Sequence, residues 1–344
     1  MKNLNNSSIL ITGGTGSFGQ AFIKQLLKEY PKIKRLVIFS RDELKQDHMR
    51  VIYPETKYKN IRYFLGDVRD YNRLLRALDD IDIIIHAAAL KQVPTAEYNP
   101  IEFIKTNVLG AQNIIEAAIE KKIKKVISLS SDKACAPINL YGATKLCSDK
   151  LFVAANTYAS KYGTFSVVRY GNVMGSRGSV IPLFLDQIAK EKPLSITDPS
   201  MTRFMMNLDE AINLVIYAFK NGKQGDIFVQ KSPSATIGTL VRAILDTVNK
   251  PDYPVINIGI RHGEKLYETL ISAEELPICL EENNFFRIKT DTRDLNYDKY
   301  FNKGVLRDKN LLGNREEYNS NNTTQLDVKE MSKILLDSNL IISS

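Results

Sequence analysis

Cysteine and histidine are scarce in this chain, with three of each among 344 residues. Cys135, Cys147 and Cys279 are odd in number and form no C-x-x-C pair. A disulfide framework is therefore excluded and a reducing compartment fits. His48, His86 and His262 are scattered without the spacing of a zinc site, so no metal is expected. No stretch approaches the roughly 20 apolar residues of a membrane span. The run at 9–11 is too short for the apolar core of a signal peptide and leads straight into a glycine loop. A cytoplasmic protein with no membrane partner is expected. A basic stripe is also missing. The net charge is +8, but the clusters at 32–35 and 121–125 are short and each precedes an apolar run, as a solvated loop does. This argues against nucleic acid as a partner and for a small polyanionic ligand.

What is present is ordinary for a globular protein: 44% apolar and 25% charged residues. The length suits two domains, or one large domain with a second lobe. Near-continuously apolar runs at 8–12, 35–39, 61–65, 81–86, 125–129 and 164–169 read as parallel strands buried on both faces. Helical patterns lie between them, for example at 20–29 and 100–120. The expected fold class is α/β, a doubly wound parallel Rossmann-type sheet that binds ligands beyond the carboxyl ends of its strands. After residue 172 the rhythm breaks, which predicts a smaller, irregular C-terminal substrate lobe. The division expected is 1–172 plus 203–231 for a cofactor domain, and 173–202 plus 232–344 for the lobe. The Asn-rich stretch 314–325 reads as disordered on composition alone.

Gly13-x-x-Gly16-x-x-Gly19 follows the first strand and opens a helix. It is one residue wider than G-x-G-x-x-G but meets the same demand: a tight turn and close backbone approach to a pyrophosphate. Thr12, Thr15, Ser17 and Phe18 complete this cradle. Ser40 and Arg41 stand at the tip of the second strand, with Lys45 one helical turn on. A hydroxyl and two cations there suit the 2′-phosphate of NADP, and Asp42 then reads as a helix start. Asp67 and Val68 follow the third strand; Asp67 fits an adenine contact or a turn equally. Ala87, Ala88 and Ala89 follow the fourth strand, beside the cofactor. His86 reads as packing or a cofactor contact rather than an acid or base.

Two polar pairs carry the chemistry. Tyr141 and Lys145 are four apart in a helical pattern and share a face. A nearby ammonium favours phenolate, so Tyr141 could serve as a general base. Asp132 and Lys133 end the fifth strand. On local sequence they read equally as a surface ion pair.

The segments TGGTGSFG (12–19), GDV (66–68), HAAA (86–89) and YGATK (141–145) resemble the extended short-chain dehydrogenase/reductase family. Within it, SRDELKQ (40–46), HAAALKQVPTAEYNP (86–100), SSDKACAPINLYGATKLCSDKLF (130–152), RYGNVMGSRGSV (169–180) and GIRHGEKLYE (259–268) are similar to the inverting UDP-N-acetylglucosamine 4,6-dehydratases of pseudaminic acid biosynthesis. The likeness runs from about residue 8 to 270. It implies NADP as cofactor, UDP-N-acetylglucosamine as substrate and a homo-oligomer. It also implies that Tyr141 takes the C4 hydroxyl proton as C4 is oxidised, and that Lys145 lowers the tyrosine pKa and holds the nicotinamide ribose. Lys133 would then remove the acidified C5 hydrogen and Asp132 would protonate the departing C6 hydroxyl. Hydride returns to C6 and a proton to C5 from the opposite face. Lys91, Ser131, Asn172, Arg177, Val180, Thr197, Arg203, Arg261 and Glu264 are the implied substrate contacts, while Arg169 reads as structural. Departures from the pattern are Ser131 for threonine, His262 for proline, Tyr267 for histidine, and no tryptophan in the closing segment near 318–325. A retaining dehydratase would show Asp-Glu at 132–133. A C4 epimerase would need only Tyr141 and Lys145. An NADP-binding sensor would need neither pair.

Overall fold

The branched, apolar runs form β1 (Ser8–Thr12), β2 (Arg35–Ser40), β3 (Ile61–Leu65), β4 (Ile83–His86), β5 (Lys125–Leu129) and β6 (Thr164–Arg169) in a computed structural model that describes residues 3–159, 162–290, 317–338 and 340–341. They pair in the order β3-β2-β1-β4-β5-β6, and Ile227–Gln230 continues the sheet in parallel beside β6. The order reverses between β1 and β4, so the crevice of a doubly wound sheet opens at their carboxyl ends. Every residue of β1 is buried, as a strand covered on both faces requires.

Two layers of helices cover the sheet. Ser17–Glu29 and Leu208–Asn221 pack Phe22, Leu26, Ile212 and Phe219 into one apolar core. Gly110–Glu120 and Leu140–Ala159 pack Ile114, Ala118, Phe152 and Ala155 into the other. The helical pattern at 100–120 is interrupted by a π-helical segment, Ile104–Leu109. There Asn107 turns inward: its side chain accepts from Leu90 N at 2.9 Å and donates to Leu90 O at 2.9 Å and Thr144 Oγ1 at 3.0 Å. The extra residue in the turn re-aims a side chain, the usual work of such a bulge.

A third core belongs to the smaller lobe, with Phe184, Ile188, Leu240, Ile244, Met331 and Leu335. Its division differs from the one expected. Thr202–Phe204 pairs antiparallel with Ser234–Thr236, so residues on both sides of the expected 202/203 cut form one strand. Phe285–Ile288 and Cys279–Glu281, expected in the lobe, return antiparallel to the main sheet and make it nine-stranded. They cover the open edge of Ile227–Gln230, whose backbone groups would otherwise be unpaired.

The Asn-rich stretch is also ordered where it is described, contrary to its composition; residues 314–316 lie outside the described residues. Tyr318–Asn319 pairs with Thr269–Ile271. Asn319 Oδ1 accepts from Asn321 N at 2.8 Å and Asn322 N at 3.1 Å, so the polar side chains close their own turn. Among the described residues no helix is long and apolar enough to cross a membrane.

Candidate active site

The glycine loop meets the ends of β1 and β4. Gly13 has φ +65°, and a Cβ there would lie 2.9 Å from Ala88 Cα. Gly16 caps helix Ser17–Glu29 without a side-chain acceptor, which leaves the first amide donors of the helix open to an anion. Thr12 Oγ1 accepts from Ala87 N at 3.1 Å and Ala88 N at 3.2 Å and bonds His86 Nδ1 at 2.9 Å. His86 is pushed down to about 3, first by burial and then by the charge of Lys145. It is a neutral ring against Phe152, suited to packing rather than proton transfer.

Beyond the loop, Thr15 and Ser40 share a buried hydroxyl bond of 2.8 Å. Asp42 caps helix Glu43–Ile52 by accepting from Lys45 N at 3.0 Å, the role its position suggested. Lys45 also pairs with the Asp42 carboxylate. Arg41 is half exposed and 3.5 Å from Asp67. Asp67 is a turn aspartate here, accepting from Arg69 N at 3.0 Å and pairing with the Arg69 guanidinium at 2.7 Å. Val68 is buried and packs where a Cβ on Gly110 would meet it.

The opposite wall comes from the end of β5, the 3-10 turn Asp132–Ala134 and helix Leu140–Ala159. Tyr141 and Lys145 sit one turn apart on the helix and are buried. Lys145 Nζ donates to Leu129 O at 2.7 Å. Burial holds its pKa below the usual lysine range, and Asp149 opposes that. Tyr141 differs from expectation. Burial pushes its phenol up, while a hydrogen bond with Ser131 and the charge of Lys133 pull down. The cation acting on the phenol is Lys133, because the Lys145 ammonium is turned to a main-chain carbonyl.

Asp132 is buried. Its Oδ1 accepts from Ser131 Oγ at 2.8 Å, Lys133 N at 2.9 Å and Lys133 Nζ at 3.1 Å. Its Oδ2 is buried without a hydrogen-bond partner. Lys133 Nζ also lies 3.2 Å from Glu268 Oε1. Burial disfavours the ammonium, but Asp132 and Glu268 outweigh it and hold Lys133 well above the usual lysine range. The pair is therefore not a solvated surface salt bridge.

One cavity of about 470 Å³ joins these walls. It is lined by Gly13, Gly16, Ser17, Phe18 and Gly19 on the loop side, by Ala87, Ala89 and Lys91 after β4, and by Ser131, Asp132, Lys133, Tyr141 and Lys145 opposite; Asn172 and Arg177 close it. Lys91 is held below the usual lysine range by burial and then by Lys133. The Asn172 side-chain oxygen is buried without a partner. Arg177 N donates to Ser17 Oγ at 3.0 Å, which sets this residue over the glycine loop.

Five residues expected at the substrate do not line this cavity. Val180 opens helix Val180–Ala189 and packs on the lobe core. The Thr197 hydroxyl turns to Met201 Sδ at 3.3 Å. Arg203 donates to Thr202 O at 2.8 Å and Lys265 O at 3.0 Å, behind the wall. Arg261 and Glu264 pair at 3.9 Å in a largely exposed turn. The 259–268 segment instead clamps the catalytic turn: Lys265 Nζ donates to Cys135 O at 2.9 Å, and Asn139 Nδ2 to Gly263 O at 2.8 Å. Arg169 is structural, fully buried on Glu275 at 2.7 Å and Leu270 O at 3.0 Å. Glu268 was missed by sequence reasoning. Its one signal is an acid ending that segment just before the apolar run 269–271.

A doubly wound sheet, a glycine cradle at its switch point and a Tyr-x-x-x-Lys helix opposite define an extended short-chain dehydrogenase/reductase. The chain belongs to the polysaccharide biosynthesis protein family, whose model matches residues 9–290; the family's C-terminal model matches residues 291–341. It is 49% identical over 335 residues to a UDP-glucose 4-epimerase of Rickettsia bellii (strain OSU 85-389), covering 96% of each chain. It is 47% identical over 339 residues to a UDP-glucose 4-epimerase of Rickettsia canadensis (strain McKiel), covering 98% of this chain and 97% of the relative. Among solved structures, Pen from Bacillus thuringiensis superposes with a TM-score of 0.86 at 36% identity, over 97% of this chain and 99% of that one. DesIV, a dTDP-glucose 4,6-dehydratase from Streptomyces venezuelae with NAD and TYD bound, shares the fold at a TM-score of 0.69 and 23% identity, over 75% of this chain and 86% of that one.

Proposed function

We propose that this protein is a UDP-N-acetylglucosamine 4,6-dehydratase that inverts C5 and retains its nicotinamide cofactor between turnovers. The observation that carries this reading is the placement of Asp132, Lys133 and Tyr141 on one wall of a cavity whose other wall is the glycine cradle. A C4 oxidation needs only the tyrosine and the cofactor. The adjacent Asp-Lys pair has work only if a second proton step follows.

The residues present fit a dinucleotide. The close approach at Gly13 leaves room for backbone rather than side chain, and the amides after Gly16 are open to a pyrophosphate. Ser40, Arg41 and Lys45 would hold the 2′-phosphate that distinguishes NADP. When bound, NADP supplies the acceptor for hydride from C4 and returns that hydride to C6.

The chain's own groups supply the proton steps. Tyr141 takes the C4 hydroxyl proton, with Lys133 and Ser131 favouring its phenolate. The resulting C4 ketone acidifies C5. Lys133, as the neutral amine, takes the C5 proton as the C5–C6 double bond forms. The C6–O bond breaks, and Asp132 gives that oxygen a proton so that water leaves. Asp132 Oδ2, the buried oxygen without a partner, is the atom suited to carry it. A proton then reaches C5 from the face opposite Lys133. The product is a UDP-2-acetamido-2,6-dideoxy-L-hexos-4-ulose, the class of sugar that leads to pseudaminic acid.

The names of the Rickettsia relatives favour a second reading, C4 epimerisation of a UDP-hexose. It uses Tyr141 and Lys145 and gives Asp132 and Lys133 no chemical task. One NMR time course in D₂O separates the two. The dehydratase converts UDP-N-acetylglucosamine, without added cofactor, to a 4-keto-6-deoxy sugar with an inverted, deuterated C5, and Lys133→Met or Asp132→Asn abolishes this. An epimerase keeps the C6 hydroxyl, turns over UDP-glucose, and tolerates both substitutions.

A further inference from the structure

Glu268 lies at the end of the clamp segment, 3% exposed. Its Oε1 is 3.2 Å from Lys133 Nζ and 3.8 Å from Arg203 Nε, and its Oε2 is buried without a hydrogen-bond partner. Its own N–H donates to Ser320 Oγ at 2.9 Å, and that hydroxyl meets Thr202 Oγ1 at 2.7 Å. The carboxylate is thus carried on backbone fixed by both the lobe strand and the C-terminal segment. A carboxylate this deep is costly unless it is paired. Its partner is the lysine that also bonds Asp132.

We propose that Glu268 is a positioning residue for Lys133, holding its nitrogen at the Asp132 side of the cavity and setting which protonation state it presents there. The chemical consequence rests on the dehydratase reading; the pairing does not. The charged and titratable groups facing Lys133 are Asp132, Glu268, Arg203, Tyr141 and, across the cavity, Lys91. In the inner cluster two carboxylates balance Lys133 and Arg203. Removing the Glu268 charge leaves an excess cation in a buried place, which expels the proton from Lys133. Removing Arg203 does the reverse. Glu268 therefore delays release of the Lys133 proton until substrate and cofactor change the local charge, and its geometry keeps the freed lone pair facing the sugar.

The test is competitive acetylation of the full-length protein with acetic anhydride across pH 6 to 11, read by mass spectrometry at Lys133 with exposed Lys59 as internal reference. Glu268→Gln is expected to raise relative labelling of Lys133 at pH 8 by about tenfold, the change that one pKa unit produces. Glu268→Asp, which keeps the charge, should stay within about threefold of wild type, and Arg203→Met should lower labelling. Labelling unchanged in Glu268→Gln, or raised equally in Glu268→Gln and Glu268→Asp, overturns the assignment. If Glu268→Gln does not fold, the opposite sign expected of Arg203→Met still decides it. The same proteins are then given UDP-N-acetylglucosamine. A shift of the basic limb of the rate profile to lower pH in Glu268→Gln supports both readings. Shifted labelling in a wild type that cannot dehydrate the sugar keeps the Glu268–Lys133 assignment and removes the dehydratase.

Discussion

Replacing Gly142 by alanine sets two physical effects against each other. Gly142 is in the first turn of helix Leu140–Ala159. In an isolated helix, glycine to alanine gains about 1 kcal/mol. Here the new Cβ would lie 2.1 Å from Lys133 O, 3.1 Å from Lys133 C and 3.0 Å from Pro137 Cβ. An ordinary carbon–oxygen contact is at least about 3.3 Å, so the helix and the Asp132 turn must part by roughly 1 Å. The obstructing atom is main chain and cannot swing aside like a side-chain tip. Overpacking of this kind costs about 1–3 kcal/mol, and a backbone clash belongs at the upper end. Packing therefore outweighs propensity, and the net loss should be about 2 kcal/mol. The same displacement moves Lys133 away from Tyr141, and a misplacement of about 1 Å costs on the order of a hundredfold in rate. The assays are thermal unfolding and the NMR turnover measurement on Gly142→Ala. A lower melting temperature with a large fall in rate is expected. A variant that melts at or above wild type with full turnover would refute the close approach.

Two further perturbations test the buried charges. Arg169→Met should cost about 3–5 kcal/mol in urea unfolding, because Glu275 and Asp149 lose their buried counter-charge; a midpoint close to wild type would contradict this. His86 has a folded pKa near 3, against about 6.5 when unfolded. Between these values the unfolded chain binds a proton that the folded chain does not, so stability falls as pH drops below about 6.5, by up to about 1.4 kcal/mol per pH unit. Urea unfolding at pH 7 and 5.5 should show a larger acid loss in wild type than in His86→Asn; equal losses would place the ring elsewhere.

Much of the fold was legible because parallel strands covered on both faces must be apolar along their whole length. The runs at 8–12, 61–65, 125–129 and 164–169 coincide with strands, and the run at 35–39 gains only Ser40. The fourth strand begins later than its apolar run, at Ile83, because residues 81–82 belong to the turn before it. Asp42 could be recognised as a cap because capping is local. The π-helical segment at Ile104–Leu109 could not, since it depends on Asn107 reaching Leu90 and Thr144 in other elements. The ordered Asn-rich segment escaped composition for the same reason. Its stability comes from pairing with Thr269–Ile271, more than 40 residues earlier.

The sequence by itself determined the glycine cradle, the strand ends and the presence of two polar pairs, because each depends on residues within a few positions of one another. Tertiary structure alone decided what surrounds those pairs. It turned Lys145 to a carbonyl of β5 and put Lys133, not Lys145, in charge of the Tyr141 phenol. It drew Arg203, Arg261 and Glu264 away from the cavity and placed Glu268 behind Lys133. Protonation depends on burial and on charges within a few ångströms, and those distances are set by which distant segments pack together.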